Sequence, residues 1–152
     1  GLNHPNPVTA AKMHSILLSA HDLFLPLNPI LNFAVGEDFS TKKASLLPAL
    51  TKKIENIEHA LASTNSPFFV DNKPRACDFL AYHHLDLSRT LYQNIFLKFP
   101  RITELLKAIE SIDSVRNYLE TRPKLIDIGV SPKLIINGTA HPTGTKNTAN
   151  FI

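Results

Sequence analysis

Asp22, Cys77, Asp78 and seven histidines are the side chains of this sequence that could do chemistry. Asp22 sits in Ala20-His21-Asp22-Leu23-Phe24, within a stretch of helical character. A partly buried carboxylate there could hold a cationic group such as an amine through charge-assisted hydrogen bonds. The plain alternative is a solvated or salt-bridged helix residue. Cys77 lies near the start of another helix, a position that can lower a thiol pKa and raise its reactivity. As the single cysteine it excludes an internal disulfide and any cysteine-based metal cluster. His14 and His21 are seven apart and could share a helix face, whereas His83 and His84 are neighbours and cannot point the same way. No HxxxH or HExxH spacing exists, so the histidines read as scattered surface or packing residues, not metal ligands. The sequence offers no Ser-His-Asp arrangement, no glycine-rich phosphate loop and no paired catalytic carboxylates. No catalytic residue is therefore assigned.

The elements that must position these residues are helical. Residues 1–7 read as an extended lead-in. From Val8 to about Val35, residues Met13, Ile16, Leu17, Ala20, Leu23, Phe24 and Leu27 recur at three- and four-residue steps. Thr9 suits the N-cap and Gly36 the C′ position, while Pro26 and Pro29 predict a kink, each removing a donor and crowding the preceding turn. A second helix is expected over about 40–63, capped by Asp38 or Ser40, with Leu47, Leu50, Ile54, Ile57 and Leu61 on one side. Two long helices and a short loop imply an antiparallel pair. Phe68-Phe69-Val70 form an apolar plug in a loop, followed by the turn residues Asp71-Asn72-Lys73-Pro74. The third helix, about 75–93, is apolar nearly all round, which predicts a central position with Leu80 and Leu87 buried. Pro100 suits the first turn of a fourth helix and Asp113 caps a fifth.

After Pro123 the composition changes. Residues 124–152 are rich in Pro, Gly, Thr and Asn, and only Lys133–Gly138 reads as a short extended segment. With little apolar surface beyond Leu134, Ile135, Ile136, Phe151 and Ile152, this tail is expected to lie against a neighbouring protein chain, not on its own bundle.

The bulk numbers bound the possibilities. The chain has 152 residues, net charge +3 and 43% hydrophobic content, which fits one domain with a sizeable core. Lys/Arg runs never exceed two residues, so nucleic-acid binding is not expected. The longest apolar runs fall short of a membrane span.

The stretch from Ser66 to Pro123, with Ser-Pro-Phe-Phe-Val, then Cys77-Asp78-Phe79-Leu80-Ala81-Tyr82, then Phe99-Pro100-Arg101-Ile102 and Asn117-Tyr118-Leu119, resembles the helical C-terminal domain of the cytosolic glutathione transferases, closest to the mu, alpha and sigma group. The resemblance covers roughly residues 8 to 123. It implies an all-α, five-helix bundle carrying an irregular extended tail over 124–152. It also implies a glutathione-binding role for Asp22, reaching across a dimer to the γ-glutamyl amine, and a structural role for Asp78 at a helix N-terminus. Family members usually carry Ser or Thr three residues before that Asp; Arg75 stands there instead, which removes a side-chain cap worth on the order of 1 kcal/mol. The family pattern makes Cys77 an inert core thiol, and places Met13, Leu17 and Phe24 on the helix that lines the co-substrate pocket. In the family a thioredoxin-like domain comes first and activates the glutathione thiol; 152 residues leave no room for it, and a start at Gly1 reads as processing or as part of a longer product.

Two functions are then expected. The first is a non-catalytic helical domain acting as an interaction or structural subunit of a larger assembly, with protein partners or as a homodimer, and needing no cofactor. The alternative is the C-terminal half of an active glutathione transferase, with glutathione as substrate, conjugating it to hydrophobic electrophiles. Family habit places either in the cytoplasm, and a mitochondrial complex would also suit a basic chain.

Overall fold

A computed structural model describes residues 2–144 of the chain. Six α-helices precede a small sheet: α1 (Pro7–His21), α2 (Phe24–Asn32), α3 (Gly36–Ala62), α4 (Ala76–Leu91), α5 (Pro100–Glu110) and α6 (Asp113–Thr121), with a 3₁₀ turn at Ile95–Lys98. The five expected helices are all present, the first of them divided into α1 and α2. The division falls at Asp22-Leu23, ahead of the prolines. A proline ring clashes with the carbonyl four residues earlier, and for Pro26 that carbonyl belongs to Asp22. Restarting the helix at Phe24 puts Pro26 in its first turn, where no intrahelical donor is needed.

The ends also differ in detail from the sequence reading. Asn6, not Thr9, caps α1, its Oδ1 accepting from the amides of Val8 (3.0 Å) and Thr9 (3.1 Å). α3 begins four residues before Ser40, so Asp38 lies in its first turn and pairs with Lys42 at 2.8 Å. Gly36 does not end a helix but opens α3, at φ +58.

α4 is the central element, packed chiefly against α1 and also against α2 and α5. Its core-facing residues are Cys77, Ala81, Leu85 and Ser88, all fully buried. Leu80 and Leu87, expected to be buried, are only half-buried and pack against the rim of the core. One helix cannot bury every side, and the inward stripe follows the four-, four- and three-residue steps of 77, 81, 85 and 88 instead. The core itself gathers Leu23, Leu27 and Leu31, Leu50, Ile54 and Leu61, Phe69, and Ile102, Leu105 and Ile109.

The tail is extended, and residues 124–144 lie against the chain's own bundle. β1 (Lys124–Ile126), β2 (Lys133–Ile136) and β3 (Thr139–Pro142) form an antiparallel sheet in the order β1-β2-β3. β2 and β3 are joined through Asn137-Gly138, both at positive φ (+48 and +78), with Ile136 paired to Thr139. Asn-Gly is the sequence that this two-residue hairpin turn favours. The sheet is tied to the bundle at the α2–α3 junction. The Gly36 amide donates to the Gly129 carbonyl at 2.7 Å and Thr143 Oγ1 donates to the Asn32 carbonyl at 2.7 Å. Gly129 lies so close under the Phe39 ring that a Cβ would sit 2.6 Å from it. Leu125 and Ile128 add apolar contact with the core. The expectation that the tail lies only on a partner chain is therefore corrected for residues 124–144; Phe151 and Ile152 lie outside the described residues.

Candidate functional site

The best-defined polar constellation surrounds the start of α4. Asp78 is fully buried. Its Oδ2 accepts from the Arg75 amide at 2.7 Å and its Oδ1 from the Phe69 amide at 3.0 Å. Burial pushes the Asp78 carboxyl above its ordinary value, and those two amide bonds pull it back. No side chain of residue 75 caps the helix. The Asp78 amide donates to the Arg75 carbonyl at 3.0 Å, where a Ser or Thr hydroxyl would otherwise accept. The aspartate thus fastens the Phe68-Phe69 plug loop to the helix N-terminus through backbone groups alone.

Arg75 is used differently. Its guanidinium donates to both carboxylate oxygens of Asp71 (Nε at 3.4 and 3.2 Å, Nη2 at 2.5 Å) and through Nη1 to the Asn3 carbonyl at 3.1 Å. The Ala76 amide donates to the Leu2 carbonyl at 3.2 Å, and His4 Nε2 stands 3.8 Å from Asp71. Together they hold the lead-in segment against the start of α4. The hydrogen bond from Arg75 lowers the Asp71 pKa.

Two further arrangements fix the bundle and were not visible in the sequence. Glu58 of α3 accepts from the first free amides of α5, those of Arg101 (3.0 Å) and Ile102 (2.9 Å). Arg101 in turn donates to the Thr64 carbonyl at 3.3 Å and to that of Ser66, beyond the end of α3. Each helix terminus receives the charge that its unpaired backbone groups favour. Asp86 of α4, almost fully buried, accepts from Arg89 (2.6 Å) and Arg122 (2.7 Å), and Arg89 also reaches Glu110 of α5 at 2.8 Å. Burial would raise the Asp86 pKa, but the bonds from Arg122 and Arg89 outweigh it and the net shift is downward.

The candidate ligand-facing site is the α1–α2 junction. Asp22 ends α1, with its side chain 64% exposed and Lys53 of α3 at 3.8 Å. An exposed carboxylate with one distant partner can still accept a cation from outside. Beneath it, His21 stacks on Phe24 at 5.8 Å between ring centroids, and His84 of α4 lies 6.0 Å from His21 and 5.6 Å from Phe24. His83 stands 5.0 Å from His84. These residues are far apart in the sequence, with 62 residues between His21 and His84. His14 does not join them in any ring contact. Among the described residues, no group of three or more His, Cys, Asp or Glu side chains is arranged to hold a metal ion.

Of the stripe expected from the resemblance to face the co-substrate, Met13 is buried in the core, while Leu17 and Phe24 are half-buried at its edge. Cys77 is fully buried; burial, with the Asp78 carboxylate alongside, pushes its thiol up to about 12. A thiol so placed is no nucleophile near neutral pH. No helix among the described residues is long and apolar enough to cross a membrane.

A central helix opened by a buried, backbone-bonded aspartate and packed among α1, α2 and α5 defines a helical domain of the transferase C-terminal type. The family described as glutathione S-transferase, C-terminal domain, matches residues 21–122, and the chain belongs to it. Among curated relatives, it is 27% identical over 127 residues to a probable glutathione S-transferase 6 of Caenorhabditis elegans, covering 81% of this chain and 62% of the relative. It is 30% identical over 84 residues to glutathione S-transferase B of Cavia porcellus, covering 55% of this chain and 38% of that one. The chain therefore spans about two fifths to three fifths of those relatives' lengths. A solved glutathione S-transferase of the hookworm Necator americanus, described as monomeric, superposes over 82% of this chain and 62% of its own, with TM-score 0.71 and 23% identity. That likeness shows the fold.

Proposed function

We propose that this chain is the helical half of a glutathione-transferase architecture, non-catalytic on its own and serving as an interaction subunit for a thiol-activating half. It brings to the shared site an apolar edge, Leu17 and Phe24, and the Asp22 carboxylate. The observation that supports this most is the contrast between the two candidate groups. Asp22 is offered to solvent at a helix break, whereas the single thiol is sealed in the core and held protonated. On this reading the chain gives binding and positioning, and the group that removes the proton from the glutathione thiol comes from the other half. In an assembled enzyme Asp22 would face the ammonium of glutathione, an attraction present in ground state and transition state alike. Such uniform binding acts on KM more than on kcat.

Asp22→Asn tests this reading. In the polypeptide or complex that joins this chain to a thiol-activating half, the KM for glutathione is expected to rise about tenfold, the scale of one charge-assisted bond, with kcat nearly unchanged. The side chain is exposed, so the melting temperature should stay put. An unchanged KM would remove Asp22 from the site.

A further inference from the structure

His84 is almost fully buried, and neither of its ring nitrogens meets a protein hydrogen-bond partner. Its neighbours explain what that does. From α1 it faces the imidazole of His21; from α2 the ring of Phe24; on its own helix the imidazole of His83. His83 and His21 are the charged or titratable groups that act on it, and both oppose a positive charge there. No carboxylate compensates. Asp22, next to His21, turns to Lys53, and Asp86 is engaged by Arg89 and Arg122.

We propose that His84 is an acid-operated latch: protonation of this imidazole drives His21 and Phe24 off α4 and opens the α1–α2 junction. Closed, the junction covers a neutral ring whose two nitrogens meet no protein partner, and opening lets solvent reach both. A proton adds the penalty of a cation buried beneath the Phe24 ring and beside two further imidazoles. The latch would hinge at the Asp22-Leu23 break, where α1 ends and Pro26 interrupts the helix ladder. Opening therefore need not unfold α3, α4 or α5. The inference does not depend on a role for Asp22 in ligand binding, although the same movement displaces that carboxylate.

The sign follows from linkage. Burial, first, and then the two imidazoles lower the His84 pKa from the ordinary 6.5 to about 4. The open form binds the proton more readily, so the closed form is fully favoured above pH 6.5 and loses ground as pH falls toward 4. Between pH 7 and pH 5 the open fraction should grow about twentyfold.

Hydrogen exchange on the full chain reads this directly. After correction for the intrinsic rate, protection of the Asp22, Leu23 and Leu27 amides, which bond to Leu18, Ala20 and Leu23, should fall about twentyfold from pH 7 to pH 5. Protection of Ile102 and Leu105 on α5 should hold. In His84→Phe, which keeps an apolar ring and removes the titration, the fall should vanish. A fall of equal size in the variant, or none in the wild type, overturns the latch. Should the variant fail to fold, nuclear magnetic resonance of the wild-type imidazoles decides. His84 still neutral at pH 5.5 supports the proposal, and His84 protonated at pH 6 with the junction closed overturns it.

Discussion

Asp78→Ala is expected to lower the unfolding free energy by about 3 kcal/mol, read as a drop in the urea midpoint without a change in slope. The carboxylate accepts from two amides, those of Phe69 and Arg75, in a fully buried place. Removing it leaves both donors without a partner, and each orphaned donor costs roughly 1–3 kcal/mol. Arg75 cannot take over, because its guanidinium only donates and is engaged with Asp71 and the Asn3 carbonyl. A domain of this size holds roughly 5–15 kcal/mol in total, so the loss is a large part of it. A loss below about 1 kcal/mol would mean that the plug loop and α4 hold together without the aspartate.

Phe69→Ala is expected to cost about 4 kcal/mol, in the range for emptying a fully buried aromatic site. Phe69 is completely buried although it lies in a loop, so its ring fills the core from outside any helix face. The cavity cannot close by collapse, because the Phe69 amide is fixed to Asp78. The two changes should also be coupled. The double variant should lose less than the sum of the single losses, by 0.5 kcal/mol or more, since they share one backbone bond. Strict additivity, measured by urea unfolding of all four proteins, would show that the plug and the cap act separately.

The helices were legible because periodicity and punctuation agreed. Pro100 opens α5 as expected, whereas Asp113 lies in the first turn of α6 without capping it; Leu50, Ile54, Ile57 and Leu61 line the buried side of α3 as spaced, but Leu46 takes the place expected of Leu47, which is exposed. Single-residue decisions between equal apolar candidates were not legible. On α4 the sequence offers Leu80, Leu85 and Leu87 alike, and only packing against α1 and α5 selects Leu85. The tail misled because its composition is poor in apolar side chains, whereas its order comes from backbone pairing and from Gly129 beneath Phe39. Asn137-Gly138 was the available signal for the hairpin. At the candidate site, Asp22 drew notice from its setting in the chain, but the His21, His83 and His84 cluster did not. Its members come from helices far apart in sequence, and each was unremarkable alone. Glu58 was likewise invisible, since a side chain capping another helix leaves no local pattern.

The most direct test is turnover by the isolated chain, residues 1–152, with reduced glutathione and a generic aryl halide. A folded chain, checked by circular dichroism in the same buffer, should give conjugation at the uncatalysed rate across pH 6.5 to 8, because its one thiol is buried and the proposed function takes the group that activates glutathione from another half. Turnover well above the uncatalysed rate, lost on substitution of a residue within the chain, would contradict the claim that this helical domain is non-catalytic by itself.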